Sequence, residues 1–101
     1  MSYAAPIHMG QLGPVVDSDI VDFYLDIAAD LGTGEAISSV TFAVTESDGV
    51  VVAGVVGDHT ETTSRTDFRV TAPGAGEYTL TAVFTIDDGQ KLTRTATLIV
   101  V

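Results

Sequence analysis

Cysteine, tryptophan and asparagine are all absent from this chain of 101 residues. Without cysteine there is no disulfide, thiolate metal site or thiol nucleophile, and the redox compartment stays open. Without asparagine no N-linked glycan can be attached. Without tryptophan, a core must rest on Val, Ile, Leu and a few Phe and Tyr, within an apolar share of 46%. Basic residues are scarce: four against 14 acids, for a net charge of −10. All four (Arg65, Arg69, Lys91 and Arg94) follow residue 64, ahead of which stand ten acids and no base. An acidic field of this kind repels phosphate backbones and anionic membranes, which argues against nucleic acid as a direct partner. No apolar run approaches the ~18 residues of a membrane span. The opening "MSYAAPIHMG" has neither the basic nor the apolar region of a signal peptide.

What is present reads as one domain, about the size of a seven-strand sandwich. Residues 1–13 carry Pro6, Gly10 and Gly13 with no helical or strand period, and read as an extended arm. Its Tyr3, Ile7, Met9 and Leu12 are unusual in a solvating tail, so these four are the expected partner-binding residues, with folding back onto the domain or disorder as the alternatives. Residues 14–101 form the expected sandwich, starting with a strand at "PVV", residues 14–16. "DIVDFYLDI" alternates, with Val21, Phe23, Leu25 and Ile27 on one face and Asp22, Tyr24 and Asp26 on the other. "AADLGTGE" has room for one helical turn before its glycines. "AISSVTFAVT" is a strand with Val40, Phe42 and Val44 inward; "SDG" turns the chain into a valine-rich strand, "VVVAGVV". "DHTETTS" reads as a polar loop, and "RTDFRVT" as a strand burying Phe68 and Val70. The expectation is an all-β, immunoglobulin-like sandwich of about seven antiparallel strands.

The last two strands allow a register argument. Tyr78, Leu80, Ala82, Phe84 and Ile86 share one face, and Leu92, Ala96, Leu98 and Val100 the apolar face of the next strand. A two-residue turn on Asp88-Gly89 would set inward Phe84 against outward Thr93, since a one-residue slip turns every side chain over. A three-residue loop, Asp87-Asp88-Gly89, restores parity and puts Gly89 at the positive-φ position of a G1 bulge. Phe84 then pairs with Leu92 and Leu80 with Ala96. The outer face becomes Val83–Thr93, Thr81–Thr95 and Thr79–Thr97, suited to solvent or to a partner. Arg94 falls inward beside Ala82, a flaw expected to resolve near the sheet edge. In "GAGEYTLT" a tyrosine follows a glycine corner two residues before a core position, the tyrosine-corner pattern of immunoglobulin-like sandwiches.

Nothing here assembles a catalyst. His8 falls in the arm and His59 in a loop, and no serine sits in a G-x-S-x-G elbow. Asp17, Asp19 and Asp22 in "DSDIVD" offer oxygen ligands, but no glycine follows at the sixth loop position and no Glu closes a twelve-residue calcium loop. "GTGE" lacks the lysine and helix of a phosphate cradle. No enzyme activity, metal or cofactor is expected.

Two stretches carry a resemblance: "FYLDIAADLGTGEAISSVTFAV" and "AGEYTLTAVFTIDDGQKLTRTATLIV". Over roughly residues 14–101 the chain resembles the short immunoglobulin-like virion proteins of tailed phages, of the fiber–tail adaptor type. The resemblance implies a non-enzymatic structural protein of the virion, docking tail or fiber components. It also implies several copies in a symmetric assembly, with tail, adaptor, fiber or capsid subunits as partners. Two neighbouring readings are a head-surface decoration protein and a carbohydrate- or cell-surface-binding module. A sugar binder needs open aromatic rings, for which Tyr3, Tyr24 and Phe68 are the candidates.

Overall fold

Alternation of apolar and Thr-rich positions in the second half of the chain dictates two long strands, and the rest of the molecule is arranged around them. A computed structural model describes residues 4–6 and 11–101, with side chains from Pro14 onward. Its strands are β1 (Ala4–Pro6), β2 (Gln11–Val15), β3 (Ile20–Asp26), β4 (Ile37–Glu46), β5 (Val56–Glu61), β6 (Arg65–Thr71), β7 (Gly76–Ile86) and β8 (Lys91–Val100). One short 3-10 turn, Ala28–Asp30, lies between β3 and β4. Two four-stranded sheets result, ordered β1-β3-β6-β5 and β2-β8-β7-β4. The expected all-β sandwich is therefore what forms, and this order of strands follows the ABED and CFG sheets of immunoglobulin domains.

Among the described residues the strands number eight, against about seven expected, and not every pairing is antiparallel. β1 runs parallel to β3, with Ala5 opposite Phe23, and β2 runs parallel to β8, with Leu12 opposite Leu98. β1 and the first three residues of β2 come from the segment expected as an arm, and Pro14 and Val15 from the expected sandwich. The first strand of the main body also begins at Gln11, ahead of the "PVV" stretch.

The closing hairpin has the register that parity demands. Phe84 lies opposite Leu92, Leu80 opposite Ala96, and the three outward pairs are Val83–Thr93, Thr81–Thr95 and Thr79–Thr97. The Ile86 amide donates to the Gln90 carbonyl at 2.8 Å, the Gly89 amide donates to the Ile86 carbonyl at 2.9 Å, and Gly89 has a φ of +94°. Arg94 stands opposite Ala82 and reaches out to the rim, where its Nη2 donates to Asp30 Oδ2 at 2.6 Å. Long basic stems behave this way, covering apolar surface while the charge stays wet.

Inward side chains of the two sheets interleave as one core with two foci. One focus holds Phe23, Phe68, Leu80 and Leu98, the other Ile27, Val40, Phe84 and Ile86, with Leu25 and Phe42 packed against both. Phe84 and Ala82 are 0% exposed, and burying a side chain of the size of Phe contributes roughly 1.5–3 kcal/mol. At the corner before β7, the Tyr78 hydroxyl donates to the Gly74 carbonyl at 3.0 Å, the tyrosine corner that the sequence signals.

The valine run departs from expectation. "VVVAGVV" is not a strand: Val51 makes an isolated bridge to Thr45, Gly54 turns with a φ of +78°, and only Val56 enters β5. Here the chain must pass from the β4 sheet to the other one, so it cannot stay in a ladder, and tertiary demand overrides valine's preference for strands. Conversely, most of "DHTETTS", read as a loop, is β5. His59 pairs with Phe68 and sets its ring edge-on to Phe42 at 5.1 Å, so this polar stretch closes the open side of the core.

Candidate docking surfaces

β4, β7 and β8 run side by side with matched registers, so their outward residues fall into rows. From one end these are Ser39–Thr85–Lys91, Thr41–Val83–Thr93, Ala43–Thr81–Thr95 and Thr45–Thr79–Thr97. Rows repeat every ~6.8 Å along the strands and positions every ~4.8 Å across them. Three of these four rows carry no ionisable side chain, on a molecule whose net charge is −10. Short β-branched side chains are stiff at χ1, so such a face is flat and already ordered.

The outer face of the other sheet has opposite character. Arg69 Nε donates to Asp22 Oδ1 at 2.8 Å and its Nη2 to Oδ2 at 3.3 Å, a two-pronged pair between β6 and β3. The hydrogen bond to Asp22, and then its charge, hold the Arg69 guanidinium's pKa above its ordinary value. Beside it, Arg65 lies 3.8 Å over the Tyr24 ring and its Nε donates to Asp67 Oδ1 at 2.7 Å. Asp22, Asp58, Asp67 and Arg69 rim a shallow open depression. Two arginines face three acids here, with Asp67 held by Arg65 and Asp22 by Arg69, so most of the face's charge is internally committed. The sequence signal was the alternation Arg65, Asp67, Arg69 in "RTDFR", facing Asp22 and Tyr24.

Of the expected partner-binding residues, Tyr3, Ile7 and Met9 lie outside the described residues, and Leu12 lies in β2 alongside Leu98. Asp17 and Asp19 sit in the β2–β3 turn, where Asp19 Oδ2 accepts from the Val16 amide at 3.2 Å. Asp22 is in β3 and engaged with Arg69, so the three acids do not converge. Among the described residues no group of three His, Asp or Glu side chains is placed to hold a metal ion. His8 lies outside the described residues. His59 is in a strand rather than a loop, its Nδ1 2.6 Å from Glu61 Oε2. That same oxygen accepts from the Thr66 hydroxyl at 2.9 Å, and Thr66 is fully buried. The trio links the β5 edge to the core and offers no accessible nucleophile. Of the aromatic candidates for a sugar, Tyr24 is covered by Arg65 and Phe68 is buried, while Tyr3 lies outside the described residues.

No significant match was found among curated proteins or among solved structures. A family does match: the sequence profile described as the podophage GP4 fiber-tail adaptor protein gp77 covers residues 17–99, most of the chain. The match spans the first stretch that carries the resemblance, all but the last residue of the second, and strands β3 to β8 short of Val100. The chain therefore belongs to the podophage GP4 fiber-tail adaptor family and is a structural component of the virion.

Proposed function

We propose that this domain is a passive, non-enzymatic connector that seats the Thr rows of its β4-β7-β8 face on a neighbouring tail or fiber subunit. The observation that carries this reading is the concentration of uncharged, stiff side chains on one flat face of a strongly acidic molecule. Interface cores are depleted in charged residues, because each buried charge must be desolvated or paired. Thr and Val side chains avoid that cost and lose little rotamer freedom on contact. The leading segment with Tyr3, Ile7, Met9 and Leu12 is a further contact in this scheme, adding apolar side chains to a partner groove. Several copies around a symmetric particle then turn individually weak contacts into durable attachment.

The test is complementation in trans of phage whose gene for this chain is disrupted, with copies per particle counted by quantitative mass spectrometry. The Thr41→Arg/Thr95→Arg pair leaves the core untouched and keeps the two new charges two strands apart, so its effect on folding stays within about 0.5 kcal/mol per site. Copies per particle are expected to fall on the order of tenfold. Normal incorporation of the double variant would remove the face from the docking scheme.

A further inference from the structure

A connector needs a second surface besides the first, and the molecule has one at an end of the sandwich, adjoining the last Thr row where Val51 pairs with Thr45. Hydrogen bonds gather the relevant segments there. The Val101 amide donates to the Val15 carbonyl at 2.8 Å, the Asp17 amide to the Val101 carbonyl at 3.1 Å, and the Ala72 amide to the Asp19 carbonyl at 2.9 Å. Ile20 lies opposite Thr71, Glu46 opposite Tyr78, and Val51 opposite Thr45. The β2–β3 turn, the β4–β5 connection and the β6–β7 corner thus share one pole.

All the large hydrophobic residues left exposed among the described residues are at this pole: Val16, Ile20, Val50, Val51 and Val101, at 53–70% exposure. Scattered exposed valines need no explanation, but segregation to one end does. They are also rigidly presented. The turn before Val50 is closed by the Glu46 amide donating to the Val50 carbonyl at 2.8 Å, and Asp48 Oδ1 accepts from the Val50 amide at 3.1 Å. From Val16, just past β2, to Val51, beyond β4, the apolar residues spread across four strand spacings, about 19 Å.

Around them stand Asp17, Asp19, Glu46, Asp48 and Glu77, all exposed, with no basic residue among them. Three of the four cations are elsewhere, Lys91 and Arg94 near the hairpin at the other pole and Arg65 opposite Asp26, while Arg69, one alternation along from the Ile20–Thr71 pair, is engaged by Asp22. This charge pattern selects the occupant. A second copy of the chain would set acid against acid, and an anionic membrane surface would be repelled.

We infer that this pole is a second docking site, resting on the adaptor reading, for a virion protein surface with an apolar centre rimmed by Lys and Arg. The apolar centre supplies the affinity, while the rim steers and orients the encounter.

The experiment uses purified tail particles lacking this chain, incubated with the purified full-length chain. Bound copies are counted by mass spectrometry. Val50→Ser/Val51→Ser and Asp17→Lys/Glu46→Lys are each expected to cut bound copies on the order of tenfold, at an unchanged melting temperature. Binding of the unaltered chain is expected to weaken as salt is raised from about 0.1 to about 1 M. Full binding by the valine pair overturns the site, and full binding by the charge-reversed pair overturns the basic-rimmed partner. Association of the purified chain with itself through Val51, shown by loss of dimer in the valine variant, would replace that partner with a second copy. Failure of the unaltered chain to bind at all would sink the adaptor reading rather than the pole.

Discussion

Asp88 shows how much one exposed side chain does in this molecule. Its Oδ1 accepts the Gln90 amide at 3.0 Å inside the β7–β8 turn. That hydrogen bond holds its carboxyl pKa below the ordinary value. A depressed pKa in the folded state contributes stability that is complete above the unfolded carboxyl's pKa and is lost as pH falls through the folded one. The carboxyl carbon of Asp88 is accordingly expected to titrate, by NMR, with a midpoint below that of the same residue in the urea-unfolded chain. A coincident midpoint would mean that the turn bond has no bearing on acid stability. Arg94 and Thr66 solve a related problem inside the fold. Each is a polar residue on the inward face of a strand, one escaping to Asp30, the other donating to Glu61. Among the described residues no buried side-chain polar atom lacks a partner, as native interiors require.

The turn that Asp88 braces occurs twice. Glu46-Ser47-Asp48-Gly49-Val50 repeats the hydrogen bonds of Ile86-Asp87-Asp88-Gly89-Gln90, with a glycine φ of +89° in one and +94° in the other. In both, the aspartate before glycine accepts the amide two residues on. An added Cβ at either glycine would meet nothing within 4 Å, so only the backbone resists it. Gly89→Ala and Gly49→Ala are therefore each expected to cost roughly 1–2 kcal/mol in urea unfolding, from left-handed strain alone. Asn at the same sites should cost less. Local chemistry of this kind is what makes a hairpin readable from residues: the parity of Phe84 and Leu92, plus one glycine, suffices. The run Val50–Val56 defeats the same logic. Its composition says strand, yet its placement is set by the need to carry the chain between sheets, which no local pattern encodes. β5 was hidden for the converse reason, because polar residues such as Asp58 and Thr60 at a sheet edge look like a loop.

At the level of the whole molecule, the Thr rows were visible in the sequence one pair at a time, through β7 and β8, and β4 completes them into a face. The apolar pole was not visible. Val16, Ile20 and Val51 lie in different segments, and only the crossing of chains between sheets brings those segments to one end. The acidic bias of residues 1–64 was plain, but its ordering around that end belongs to the folded state.

The parallel pairing of β2 with β8 carries a mechanical implication. Gln11 lies beside Thr97 and Val15 beside Val100, so the two strands advance together toward the same pole. Tension drawn backward through residue 11 and forward through residue 100 slides one strand along the other, straining their cross-links simultaneously. Opening the β7–β8 hairpin from Glu77 and Ile99, which face each other, would instead break its links in succession. Single-molecule pulling is expected to need more force in the first geometry than in the second. Equal rupture forces would show that the shear path offers no special resistance. A tether anchored through the first axis would yield abruptly, at a threshold, instead of stretching by degrees.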